Sequence, residues 1–332
     1  MTTRVAVTGA GGPSAVSFMN AVAERDVELI AGDIDPYAAG LYLVPPERRW
    51  ILHRGADPRF VDDILVRCVD AHVDVLVPTV DFELLPIAQR RSEFEAAGVK
   101  LLLSPAITFE RCLDKWSLVD ACREVCPVPD TRIIDRDYGL GDEARPIFVK
   151  PRARAGVRGA RIVQHAEDFA SVPRDGSYVA QEVLSGTEYS IDVLCDAHGN
   201  VLVAVPRSRL KLDAGIAVAE RTVRNERLQA LASAVARRLG ATFIANVQFR
   251  EDDSGTPKLL DVDARFPDTM PLTVMAGVDM PGLALDLALG KSVDPKTLKF
   301  REVAIVRTWR DHLVEPAEIA ELEMRARDLA TT

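Results

Sequence analysis

Between Arg145 and Arg161 the chain carries six cations, Arg145, Lys150, Arg152, Arg154, Arg158 and Arg161, and no acid. The stretch reads as a strand from Ile147 to Lys150, a loop holding Gly156 and Gly159, and a second strand. Ammonium and guanidinium groups on such a hairpin suit a polyphosphate, because they neutralise its oxygens. Glycines let backbone N–H groups approach it closely. The segment from Lys258 to Phe266 has the complementary chemistry. On a strand, Asp261 and Asp263 share one face, with side chains about 7 Å apart. Two carboxylates placed so repel each other unless a cation joins them, and a hard divalent ion held by oxygens is the natural partner. Gln248, on the preceding strand, adds an amide oxygen, and Arg265 continues the same face toward an anionic substrate.

Other patterns say less. Gly9, Gly11 and Gly12 follow an apolar strand as in a dinucleotide fingerprint, with Asp33 or Asp35 as ribose partner, but Ser14 stands where the third glycine belongs. A tight strand-to-helix turn is favoured there over NAD binding. Gly290-Lys291-Ser292 ends like a phosphate-binding loop, yet Leu285 holds the place of its first glycine and a helix precedes it. It reads as a helix C-cap. Cys68, Cys112, Cys122, Cys126 and Cys195 are odd in number and scattered, which favours reduced thiols over a disulfide framework. The five histidines form no ligand spacing.

The elements that must position these groups fit an α/β chain of 332 residues, enough for two or three packed units. The first hundred residues alternate short apolar strands (Arg4 to Thr8, Glu28 to Ala31, Val73 to Val77, Lys100 to Leu103) with helices (Ser14 to Glu24, Phe60 to Ala71, Phe82 to Ala97). That alternation means a parallel, doubly wound sheet covered on both faces. Ser104-Pro105 reads as an N-cap and first helical residue, opening helices over Ile107 to Leu113 and Lys115 to Val125. Strands follow at Thr131 to Ile134, Pro146 to Lys150, Ala160 to Gln164, Tyr178 to Val183, Glu188 to Leu194 and Val201 to Pro206. Then come a helix over Arg224 to Leu239 ending at Gly240, strands at Ala245 to Arg250 and Lys258 to Asp263, and helices over Met280 to Leu289 and Pro316 to Leu329. The formal charge of -9 argues against a nucleic-acid coat or a polybasic membrane patch. No run nears the roughly 20 apolar residues of a membrane span, and the N-terminus has no signal-peptide pattern; the expected compartment is the cytoplasm.

In this order the residues resemble the ATP-grasp superfamily, nearest its carbamoyl-phosphate-synthase-like and carboxylate–amine ligase branches, from Val5 to about Thr308. The N-terminal block, with Gly9 to Gly12 and Pro78 to Asp81, is similar to the pre-ATP-grasp domain. The resemblance implies that Lys115, in Cys112-Leu-Asp114-Lys115, reaches an ATP phosphate. Lys150 would hold the α- and β-phosphates, beneath a phosphate lid that includes Arg154, Gly156 and Gly159. Gln181, Glu182, Val183 and Leu184 look like the hinge facing adenine, and Glu188 like the ribose-binding glutamate. Gln248, Asp261 and Asp263 correspond to the magnesium-bearing strands, although Asp261-Val-Asp263-Ala-Arg265 stands where the family commonly has Glu-x-Asn-x-Arg.

The family likeness implies four spans: 1–104 as a Rossmann-like pre-ATP-grasp domain, 105–180 and 181–312 as the two ATP-grasp lobes, and 313–332 as a C-terminal helix. It also implies an ADP-forming ligase that joins a carboxylate to an amine through an acylphosphate, with small-molecule or amino-acid substrates. ATP and Mg2+ would be the cofactors, with Mn2+ as a substitute ion. Arg265, with Arg207 and Arg209, would meet the substrate carboxylate and the oxyanion, as planar forks suit planar anions. Phe266 to Met270 would line the acceptor pocket, and homodimers fit the family. Alternatives are an ATP-binding sensor without ligation, a carbamate or acyl kinase, and an NAD-dependent oxidoreductase.

Overall fold

Short apolar strands with helices between them build the first sheet, as the alternation requires. The computed structural model describes residues 2–139, 146–153, 159–213 and 216–331. Its first unit holds β1 (Thr3–Thr8), β2 (Val27–Asp33), β3 (Arg49–Ile51), β4 (Val75–Val77) and β5 (Lys100–Leu101), all parallel, in the order β3-β2-β1-β4-β5. Around the sheet lie α1 (Pro13–Val22), α2 (Phe60–Asp70), α3 (Asp81–Gln89) and α4 (Arg91–Ala96). The sequence reads α3 and α4 as one helix; Arg90 leaves helical geometry between them, at φ -105° and ψ 20°. The short β3 carries no apolar run long enough to be read from sequence.

Two short helices, α5 (Ala106–Cys112) and α6 (Lys115–Cys122), lead to a small antiparallel sheet. Its strands are β6 (Thr131–Ile134), β7 (Ile147–Pro151), β8 (Arg161–Val163) and β9 (Tyr178–Glu182), in the order β6-β9-β7-β8. The four-residue helix α7 (Ala166–Phe169) lies between β8 and β9. Pro105, rather than Ser104, caps α5. The Ser104 hydroxyl instead joins Thr242, donating to its carbonyl at 3.2 Å and accepting its N–H at 3.1 Å.

The third sheet is the largest: β10 (Glu188–Cys195), β11 (Val201–Asp213), β12 (Ile216–Thr222), β13 (Ile244–Glu251), β14 (Pro257–Asp263) and β15 (Ala304–Val306). Their order is β14-β13-β10-β11-β12-β15, and the pairs are antiparallel. Asp196 closes the β10–β11 hairpin by accepting the N–H groups of His198 and Asn200, both at 2.8 Å. β11 runs on past Pro206, where the sequence reading ends it, and pairs with β12, which that reading lacks. A proline normally interrupts a ladder, but the Pro206 carbonyl still accepts the Val223 N–H at 2.9 Å. Helix α8 (Glu226–Leu239) packs its apolar face on β10, β11 and β13, with Asn225 as N-cap and Gly240 at φ 72° as its left-handed stop. Helices α9 (Met270–Met275) and α10 (Met280–Ala288) pack against α1.

The sheets are tied together rather than strung apart. Phe266, just after β14, stacks on Phe18 of α1 with centroids 4.9 Å apart, and its carbonyl accepts the Ser14 hydroxyl. The last helix, α11 (Pro316–Thr331), returns to the first unit, where Glu318 pairs with Arg49 at 2.6 Å and Leu322 is buried. All five cysteines are buried and free. No helix among the described residues is long and apolar enough to cross a membrane.

Candidate functional site

The cation-rich strand and the carboxylate strand meet across a cleft. Lys150 sits on β7 and Asp261 and Asp263 on β14, with Lys115 between them at the start of α6. Asp114 fixes that helix start: its Oδ1 accepts the N–H groups of Trp116 and Ser117 at 2.9 and 2.8 Å, while Oδ2 pairs with Arg152 at 2.8 Å. The Lys115 ammonium lies 2.5 Å from Asp261 Oδ1. Burial opposes charge on Lys115, but Asp261 outweighs it and the net shift is upward. Burial likewise opposes charge on Asp261, and Lys115 and Lys150 pull it below the usual carboxylate range. Lys150 donates to the Leu260 carbonyl at 3.4 Å, and burial pushes its pKa down to about 8.

β13 pairs with β14 in the register Gln248↔Asp261 and Asn246↔Asp263, so the three expected ligand residues adjoin. The Gln248 amide donates to Asp263 Oδ2 at 3.2 Å, and Arg265 approaches Asp263 at 3.8 Å. Burial first, then Asp261 and Asp81, raise the Asp263 pKa to about 6. Among the described residues no group of three or more His, Cys, Asp or Glu is placed to hold a metal with protein atoms alone.

The hinge and ribose residues are tied up in part. Gln181 is buried, and its amide donates to Thr131 Oγ1 at 2.9 Å, toward β6. Glu182 accepts Lys258 Nζ at 2.5 Å and the Asp130 N–H at 2.8 Å, which joins the small sheet to β14. Val183 is half-buried and Leu184 buried in the connection to β10. Glu188 opens β10 and pairs with Arg209 of β11. Gly159 has φ +81°, a left-handed conformation suited to glycine, and an added Cβ would sit 3.2 Å from Pro151. Arg154 and Gly156 lie outside the described residues.

Arg207 does not reach the cleft. Its side chain is 0% exposed, pairing with Asp192 at 2.5 Å and Glu220 at 2.8 Å, both also fully enclosed. Ser190, Thr269, Thr273 and Asn246 complete this network. A substrate carboxylate has no access to it, which corrects the grouping of Arg207 with Arg265. Charge in a strand usually signals exposure, and the sequence has no mark of this long-range enclosure.

Arg265 does face a cavity, of about 220 Å³, between the first and third sheets. Gly9, Gly12, Ser14, Asp33, Thr79 and Asp81 line one side, Arg265 and Asp268 the other. Asp81, at the start of α3, accepts Arg265 Nε at 2.7 Å and so orients the guanidinium across the two units. Sequence reasoning missed that pairing, because nothing local links residues so far apart. Asp33 turns inward to accept the Gly11 N–H at 2.7 Å, closing the glycine turn on itself. Of Phe266 to Met270, only Asp268 reaches this cavity; Phe266, Thr269 and Met270 are packed in the interior.

Residues 175–311 match a family described as ATP-grasp in the biosynthetic pathway with Ter operon. The fold is an ATP-grasp fold. Residues 5–102 match the PylC-like N-terminal domain. The ATP-grasp fold here is similar to Rhizobium etli pyruvate carboxylase, solved with acetyl coenzyme A, at TM-score 0.74 and 16% identity, over 91% of this chain and 30% of that one. It is similar also to the biotin carboxylase domain of Hydrogenobacter thermophilus 2-oxoglutarate carboxylase, solved with MgADP, ADP and bicarbonate (TM-score 0.71, 17% identity, 90% of this chain and 73% of that one). Biotin carboxylase from Campylobacter jejuni, in a β,γ-ATP complex, gives TM-score 0.69 and 16% identity over 89% and 73%. No curated protein matches this chain by sequence.

Proposed function

We propose that the chain is an ADP-forming, ATP-dependent ligase that joins a carboxylate to an amine. The observation that carries this reading is the convergence of Lys115 and Lys150 on Asp261 and Asp263 across the cleft between two sheets. Similar structures hold MgADP or an ATP analogue. The donors fit a magnesium ion that is shared with a polyphosphate: two carboxylates and an amide on adjacent strands are hard oxygen ligands, and magnesium commonly takes only one or two carboxylates from the protein. Bound there, Mg2+ would screen the charge of the β- and γ-phosphates.

Lys150 and Lys115 bind and orient the phosphates, with Gly159 beside them. Glu182, Val183 and Leu184 border the adenine end, and Glu188 meets the ribose. Arg265, held by Asp81, presents its remaining N–H groups to a substrate carboxylate. A carboxylate oxygen attacks the γ-phosphorus, the bond to the β–γ bridging oxygen breaks, and ADP leaves. The resulting acylphosphate is attacked at carbon by the amine, which loses a proton as phosphate departs. Positioning and charge stabilisation supply the catalysis.

An ADP-release screen that pairs amino acids and small acids with amines tests the reading. Release that depends on both substrates, and is abolished by Lys150→Ala and Asp261→Ala, is expected. Turnover unchanged in these variants overturns it. Release with an acid alone points to an acyl or carbamate kinase of the same fold.

A further inference from the structure

Asp261 is already occupied by a cation of the protein. The Lys115 ammonium lies 2.5 Å from Oδ1 of the carboxylate that a divalent ion would share under the magnesium–nucleotide reading on which this inference rests. Asp263 is similarly engaged, by the Gln248 amide at 3.2 Å and by Arg265 at 3.8 Å. We propose that Lys115 is a displaceable counter-ion that keeps a divalent cation off Asp261 until a nucleotide polyphosphate draws the ammonium away, so that metal and nucleotide enter together.

Charge balance supports this order. Arg265 pairs with Asp81 at 2.7 Å and lies 3.8 and 3.9 Å from Asp263 and Asp268, and Lys115 and Lys150 are the further cations that face Asp261 and Asp263. These four groups are neutral as a set. A divalent ion arriving alone leaves its charge uncompensated in a cleft where Lys115 is 9% exposed, or must expel an ammonium whose carboxylate partner among the described residues is Asp261. A polyphosphate brings the missing negative charge and offers Lys115 new charge-assisted hydrogen bonds. The lysine can make the exchange without moving the chain. Its backbone N–H is held by the Arg152 carbonyl at 2.9 Å and its helix start by Asp114, while its charge sits at the end of a flexible four-carbon stem.

Manganese titration of the full chain, with free Mn2+ followed by electron paramagnetic resonance, tests the proposal. Wild type, Lys115→Met, Lys115→Gln and Lys115→Arg are compared with and without ADP, and thermal unfolding reports the fold of each. Wild type is expected to bind Mn2+ weakly alone and tightly with ADP. Lys115→Met and Lys115→Gln should bind Mn2+ alone about tenfold or more tighter than wild type, because an uncompensated carboxylate is left. A second substitution, Asp261→Asn, should remove that gain. Lys115→Arg, which keeps the charge, should behave as wild type without ADP. Tight uptake of one Mn2+ by wild type without ADP, lost in Asp261→Asn, overturns the proposal. So does unchanged Mn2+ affinity in the folded Met or Gln variant. If Lys115→Met does not fold, Lys115→Gln and the wild-type arm still decide. Wild type that takes up no Mn2+ even with ADP overturns the underlying nucleotide reading as well, and that outcome is distinct from the other two.

Discussion

Arg207 and Lys115 are both buried cations set on carboxylates of the same six-stranded sheet, yet their surroundings differ. Arg207, Asp192 and Glu220 are each 0% exposed, and serine, threonine and asparagine side chains wrap them. Lys115 and Lys150 sit at the rim of a cleft, and Asp261 and Asp263 keep 21% and 28% of their side-chain surface. A guanidinium locks into several acceptors at once, whereas an ammonium is a point charge on a flexible stem. The enclosed cluster therefore braces four strands, while the rim cluster can trade partners.

The largest expected effect separates brace from site. Arg207→Met leaves two enclosed carboxylates without their cation and should cost about 3–5 kcal/mol in urea unfolding. A loss below about 1 kcal/mol would break the distinction. Lys150→Met should weaken ADP binding by about 1.5–3 kcal/mol in calorimetry, since it removes a charged donor, while the unfolding midpoint stays near that of wild type. A large fall in stability with little change in ADP affinity would put Lys150 with the braces.

The pH dependence sharpens the contrast further. Lys150 releases its proton near pH 8 in the folded protein, against about 10.4 for a free lysine. Between those values the unfolded chain holds more protons, so this group's contribution to stability rises with pH across that window. Phosphate needs the charged form, so ADP affinity should fall as pH passes 8, and Lys150→Arg should remove that fall. An identical pH profile in wild type and Lys150→Arg would assign the titration to another group. The smallest effect is expected at the Glu188–Arg209 pair. Glu188→Gln should weaken ADP binding by about 0.5–1.5 kcal/mol through one lost acceptor, and tighter binding would mean that Arg209 is the group facing the nucleotide.

The rim was more legible in sequence than the brace because short local patterns mark its residues, although Lys115 and Asp261 lie 146 residues apart. The alternation of Asp261, Asp263 and Arg265 on one strand, the Lys150 strand and the Gly240 stop each have a local cause. Parallel order in the first sheet followed from apolar strands alternating with helices. Two partners that could not be read lie far off in sequence, Asp81 on Arg265 and Lys258 on Glu182; Asp192 and Glu220 lie only 15 and 13 residues from Arg207, but charges on neighbouring strands carry no mark of being enclosed. Pro206 hid the length of β11, and the β12 strand with it. Ser104 looked like a cap, but Thr242, just before β13, claims its hydroxyl.

The account turns on where nucleotide and metal sit. A crystal structure of the protein with ADP and Mn2+, the ion located by its anomalous scattering, tests that most directly. The expected result is a diphosphate between Lys115 and Lys150 with manganese on Asp261 and Asp263. A nucleotide found instead on the Gly9 to Gly12 turn, with no ion at Asp261, would contradict it.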